Sequence, residues 1–183
     1  TGDATDHYLM GTIRFIHFAA GYILAVGLLG RAYWALVGNR YARQLFTLPF
    51  RDRAWRHALL HDLRWYALRG RPEKINGHTP LARVAMFVLF LLVTLFMIIT
   101  GFALYSEGTG QGSWQDLAFG WVLPLLGGSQ PTHTLHHLGM WALLIFIIAH
   151  VYIAIREEIM GSQSMISTMI SGWRTFRDGK PPE

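Results

Sequence analysis

The stretch TLHHLGMWALLIFIIAHVYIAIREE, Thr134 to Glu158, decides how the rest of the chain is read. It is apolar over about the 20 residues that a helix needs to cross a hydrocarbon core, and its charges come only at the end. It carries His136, His137 and His150. At about 100° and 1.5 Å per residue, positions 14 apart lie on nearly one helix face and roughly 21 Å apart along the axis. That describes His136 and His150, whereas His137 lies far round the helix. A membrane-length helix with an imidazole towards each side on one stripe is a ladder for two metal cofactors. Imidazole is an ordinary axial ligand of haem iron, so the specific reading is two b-type haems stacked across a membrane. The plain alternative is a pair of hydrogen-bonded structural histidines. Ionisable residues inside a membrane are costly and cluster at functional positions, which favours ligation.

Composition is consistent with a membrane protein. Of 183 residues, 52% are hydrophobic and only 15% charged, where a soluble domain has about a quarter charged. The chain has no cysteine, which excludes disulfides, iron–sulfur ligation, thiolate zinc sites and covalent haem attachment through CxxCH. Thr1 to Asp6 is polar and acidic, unlike a signal peptide. Without an initiator Met, the chain reads as beginning part-way into a longer product.

Two further spans precede this helix. Leu9 to about 37 is an apolar run broken by Arg14, His17 and Arg31, with Tyr8, Tyr33 and Trp34 at its ends, where aromatic belts belong. Ala19, Ala20 and Gly21 would admit either a flat ring or a close helix. Pro80 to Tyr105 is the most apolar span; with no histidine, and no charge after Arg83, it is expected to offer packing and no ligand. Between them, residues 39–79 form a basic loop in which Trp55, Leu59, Leu63 and Tyr66 recur at helical spacing opposite Arg53, Arg56 and Arg64. That pattern predicts an amphipathic helix on the membrane surface. His57 and His61 sit four apart on it and, with no third ligand near, read as interfacial. WQDLAFGWVLPLL, after the second span, is expected to form a short interfacial helix. The predicted fold is all-α: a transmembrane helical bundle with interfacial amphipathic helices, a single integral-membrane domain over 1–183 with spans near 9–37, 80–105 and 134–157.

Charge asymmetry orients it. Of the 16 Lys and Arg, all but Arg14 lie at or beyond Arg31 in the central loop, at the start of the second span or towards and beyond the end of the third; residues 106–132 have none. By the positive-inside rule the 39–79 loop and C-terminus are cytoplasmic, and the 106–132 loop faces the opposite, periplasmic side. The same distribution explains the net charge of +5 without nucleic acid. His17 and His136 then fall at similar depth near the outer side and can share one haem. His150 lies about four turns deeper with no intramembrane histidine opposite it, so it takes a partner from another helix or is structural. Arg14, one turn outward of His17, suits a haem propionate, or else snorkels to the headgroups.

The blocks IRFIHFAAGY, GHTPLARVAMF, MIITGFALYSE, HTLHHLGMW and AHVYIAIREEIM resemble the b-type cytochrome subunit of membrane-bound nickel–iron uptake hydrogenases, over nearly the whole chain. That family is related to the cytochrome b subunit of formate dehydrogenase. The resemblance implies a four-helix bundle with two b haems, anchored to the hydrogenase small subunit (and through it the large one), that passes electrons from its iron–sulfur chain to quinone in the bacterial inner membrane. It implies His17 and His136 on the outer haem, and His150 on the inner one with a histidine of a first helix that this sequence does not cover. In the related formate enzyme a histidine–asparagine motif lies by the quinone; here it reads His78-Thr79, so only the histidine matches. Leu135 stands where a tryptophan is frequent, and His137 where some members have arginine. A cytochrome serving formate dehydrogenase or another periplasmic oxidoreductase, and a haem-free membrane anchor, are the competing readings.

Overall fold

A computed structural model describes residues 8–39, 42–67, 79–160, 164, 166–172 and 175 of the protein. Every regular element among them is helical: α1 (Leu9–Val37), a 3-10 turn (Ala42–Leu45), α2 (Arg53–Tyr66), α3 (Pro80–Ala85), a π-helical segment (Met86–Leu92), α4 (Val93–Thr109), α5 (Trp114–Phe119), α6 (Val122–Leu125), α7 (Ser129–Met160) and α8 (Ile166–Ser171). Three stretches are long and apolar enough to cross a membrane: Leu9–Val37, Pro80–Thr109 and Ser129–Met160. The protein is all-α and integral to the membrane. The second and third helices run a few residues beyond the expected spans. The second is also interrupted by a π-helical segment that nothing in MFVLFLL announces, since it contains neither Pro nor Gly.

Contacts divide the chain into two units, residues 1–42 with 95–136, and residues 43–94 with 137–183. In the first, α1 packs on α4 through aromatic rings: Phe18 lies 4.5 Å from Tyr105 and Tyr22 lies 5.0 Å from Phe102, centroid to centroid. The face of α4 turned inward is made of small residues, Thr100, Ala103 and Ser106, all buried, which lets backbones approach. Each hydroxyl there bonds back to its own helix, Thr100 to Phe96 O and Ser106 to Ala103 O, so no polar group is left bare in an apolar surround. A Cβ added at Gly21 of α1 would meet open space.

The interfacial stretch after α4 is two short helices instead of one. Ser113 caps α5 by accepting from Asp116 N, while Asp116 accepts from Gly112 N, a reciprocal arrangement that satisfies helix-start donors. Leu117, Trp121 and Leu125 are exposed. Gly127 and Gly128, at φ of 91° and 108°, turn the chain from α6 into α7 through a backbone region that side chains disfavour.

In the second unit, α2 begins at Asp52, whose carboxylate accepts from Ala54 N. Its protein-facing side is Trp55 and Asp62, both buried, with Leu59 and Tyr66 half-buried, while Leu60 and Leu63 are exposed. A buried Asp62 breaks the expected apolar stripe for a reason visible in its contact: it accepts from Leu81 N, one of the unpaired donors at the start of α3. Thr79 supplies the other cap, accepting from Ala82 N, and Pro80 opens the helix at the position where its missing N–H costs nothing. The far end of α7 is tied to α2 by Glu157, which accepts from Trp65 Nε1 at 2.8 Å and from Arg156 Nη1 at 3.2 Å. The Arg156 guanidinium lies 4.6 Å from the Trp65 ring and 5.2 Å from that of Tyr66.

Candidate functional site

The first unit brings together two of the histidines singled out from sequence. His17 on α1 and His136 on α7 face one another with ring centroids 6.2 Å apart and planes at 87°. A histidine nitrogen sits roughly 2 Å from a bound metal ion, so two imidazoles on opposite sides of one ion have centroids about 6 Å apart. The observed separation fits that arrangement. Among the described residues no three His, Cys, Asp or Glu side chains converge into a metal cage. What the two helices offer is a pair of nitrogen donors of the kind that could hold a b-type haem.

His136 is oriented by α4. Thr100 Oγ1 lies 2.8 Å from His136 Nδ1 and 2.8 Å from the Phe96 carbonyl oxygen. A hydroxyl has one hydrogen to give. Given to Phe96 O, it leaves the Thr100 oxygen to accept from His136 Nδ1–H. Nε2 of His136 then carries the lone pair. The next residue, Gly101, leaves room for the ring: a Cβ there would come within 3.3 Å of His136 Cε1. Sequence reasoning assigned this span packing alone and missed Thr100. The only signal was a hydroxyl and a glycine side by side in an otherwise apolar run, one that helix packing would equally explain.

The remaining candidate residues are more dispersed. Arg14 is exposed one turn before His17 on α1, without a hydrogen bond or ion pair among the described residues. His150 is exposed on α7 in the second unit, its ring stacked on Phe146 at 5.5 Å and 23°; Phe146 in turn touches Phe90 at 5.9 Å. No second histidine approaches His150 among the described residues. His137 points elsewhere than His136, accepting at Nε2 from Trp141 Nε1 at 3.1 Å. His133 contacts the Ser129 carbonyl at 3.0 Å. Thr79 is the cap of α3, and His78 lies outside the described residues.

Comparison with known proteins gives the family. The family model described as prokaryotic cytochrome b561 matches residues 2–172. A protein of Azotobacter chroococcum mcd 1 named "Probable Ni/Fe-hydrogenase B-type cytochrome subunit" is 58% identical over 181 residues, 98% of this chain and 75% of its own length. A protein of Cupriavidus necator with the same name is 58% identical over 178 residues, 97% of this chain and 73% of its own. "Probable Ni/Fe-hydrogenase 1 B-type cytochrome subunit" of Escherichia coli K12 is 45% identical over 185 residues, covering 98% and 77%. A match across nearly the whole chain places it: the chain belongs to the prokaryotic cytochrome b561 family, among the B-type cytochrome subunits of Ni/Fe hydrogenases.

Proposed function

We propose that this chain works as one integral-membrane domain that anchors a Ni/Fe hydrogenase, takes electrons from the iron–sulfur chain of its small subunit and delivers them to quinone. The observation that carries the reading is the His17–His136 pair. These two side chains hold one haem b between α1 and α7, and Arg14 reaches its propionates. His150 holds a second haem with a histidine from another helix. When bound, haem b supplies a one-electron ferric/ferrous couple. The protein's own part is to hold each ligating nitrogen neutral and aimed, and to exclude water with apolar helices. Hydrogen activation belongs to the partner's large subunit. The domain sits in the bacterial inner membrane with residues 106–132 periplasmic and the 39–79 loop and C-terminus cytoplasmic, so electrons travel inward. His78 and Thr79 are the quinone contacts this reading assigns; His78 lies outside the described residues, and the Thr79 oxygen accepts from Ala82 N.

The test is hydrogen-driven reduction in membranes that contain the hydrogenase and this chain. Hydrogen gas should raise the reduced b-haem absorption band, and a soluble quinone should then bleach it. An active hydrogenase whose hydrogen oxidation leaves the b-haem band unchanged would refute the electron-carrier role.

A further inference from the structure

We propose that Thr100 is a positioning residue for His136, and that through His136 it lowers the reduction potential of the haem that His17 and His136 hold; this rests on the ligation proposed above. Thr100 is fully buried on α4, and its Oγ1 is the atom within hydrogen-bond distance of His136 Nδ1, at 2.8 Å. A threonine inside a helix commonly bonds back to a carbonyl one turn earlier, and the 2.8 Å contact to Phe96 O is such a bond. That bond uses the hydroxyl hydrogen and leaves the oxygen lone pairs. One of them meets an imidazole 36 residues on, and the adjacent Gly101 is what clears the approach. The result is a relay from Nδ1–H to Thr100 Oγ1 to Phe96 O. It fixes the tautomer, holds the ring against rotation about its Cβ–Cγ bond, and leaves Nε2 as the donor atom.

Direction follows from charge. A hydrogen-bond acceptor on the far nitrogen of a ligating imidazole raises the basicity of the near one. A more basic donor stabilises the ferric state over the ferrous state and so lowers the potential. Without Thr100 Oγ1, Nδ1–H is left in an apolar surround with no acceptor, and the ring is held only by packing.

The experiment uses the full chain purified with its bound haem, in wild-type, Thr100→Val and Thr100→Ser forms, with His136→Ala to identify which redox component belongs to this site. Haem content is read by pyridine haemochrome, potential by redox titration and ligand geometry by the low-spin ferric electron paramagnetic resonance spectrum. In Thr100→Val the component should remain but shift threefold to tenfold towards the reduced form, a potential raised by roughly 30–60 mV for one electron, with altered g-values. Thr100→Ser, which keeps the hydroxyl, should keep the wild-type potential. If Thr100→Val loses the haem, Thr100→Ser must still hold it at the wild-type potential. An unshifted potential in Thr100→Val, or a serine variant that fails alongside the valine one, overturns the role of Thr100 while the ligation stands. Undiminished haem and an unchanged spectrum in His136→Ala overturn the ligation itself.

Discussion

Trp65 on α2 donates its indole N–H to Glu157 on α7 at 2.8 Å, across 92 residues of sequence. The same carboxylate pairs with Arg156, whose guanidinium lies over the Trp65 ring. One buried ion pair and one aromatic face therefore fasten an amphipathic helix to the end of a membrane span. Removing one member of a buried pair leaves the other charge uncompensated, at a cost of about 3 kcal/mol or more. Glu157→Ala should lower the thermal unfolding midpoint by on the order of 10 °C in detergent and expose α2 to protease. Glu157→Gln, which still accepts from Trp65, should lose less. Identical melting of all three would show that the contact contributes nothing.

Tyr66 predicts an alkaline effect at the same place. Burial, and after it the Glu157 carboxylate, holds its hydroxyl above the ordinary phenol range. The unfolded chain releases this proton near pH 10 while the folded chain keeps it. Above about pH 10 the folded state therefore binds more protons, and stability falls as pH rises. The Tyr66 contribution is complete below that pH and is lost progressively above it. Tyr66→Phe should flatten the alkaline limb of the stability–pH curve by up to one proton and leave the neutral region's slope unchanged. A limb of the same steepness in the variant would contradict the assignment.

Gly101 tests the space beside His136. An alanine Cβ would sit 3.3 Å from His136 Cε1, so the imidazole has to yield by a few tenths of an ångström. Gly101→Ala should keep haem with a perturbed low-spin spectrum, and Gly101→Leu should lose it. Full retention with the wild-type spectrum in Gly101→Leu would mean that α4 does not confine the ring.

Much of this was legible from residue order. Length and hydropathy located the three spans, because an apolar run of bilayer length seldom arises except to cross a membrane. Depth alone pairs His17 with His136, and the structure brings their rings to 6.2 Å, edge to face. What was not legible depends on contacts distant in sequence. Thr100 looks like any helix-packing threonine until α7 delivers His136 to it. Asp62 looks like part of the solvated face of α2 until α3 presents Leu81 N. The π-helical segment in the second span carries no sequence signal, and an apolar run with uniform hydropathy does not specify which face turns inward. His150 was read as lacking a partner in this chain, and among the described residues its ring meets Phe146.

Ligation by His17 and His136 is tested most directly by the reduced-minus-oxidised visible spectrum of the purified protein, with pyridine haemochrome quantification, for wild type, His17→Ala, His136→Ala and His137→Ala. A low-spin b-type spectrum should lose one haem's worth of absorbance in both His17→Ala and His136→Ala. It should stay intact in His137→Ala, whose wild-type ring is engaged with Trp141. Full haem retention in either of the first two, or an equal loss in the third, would contradict the ligation.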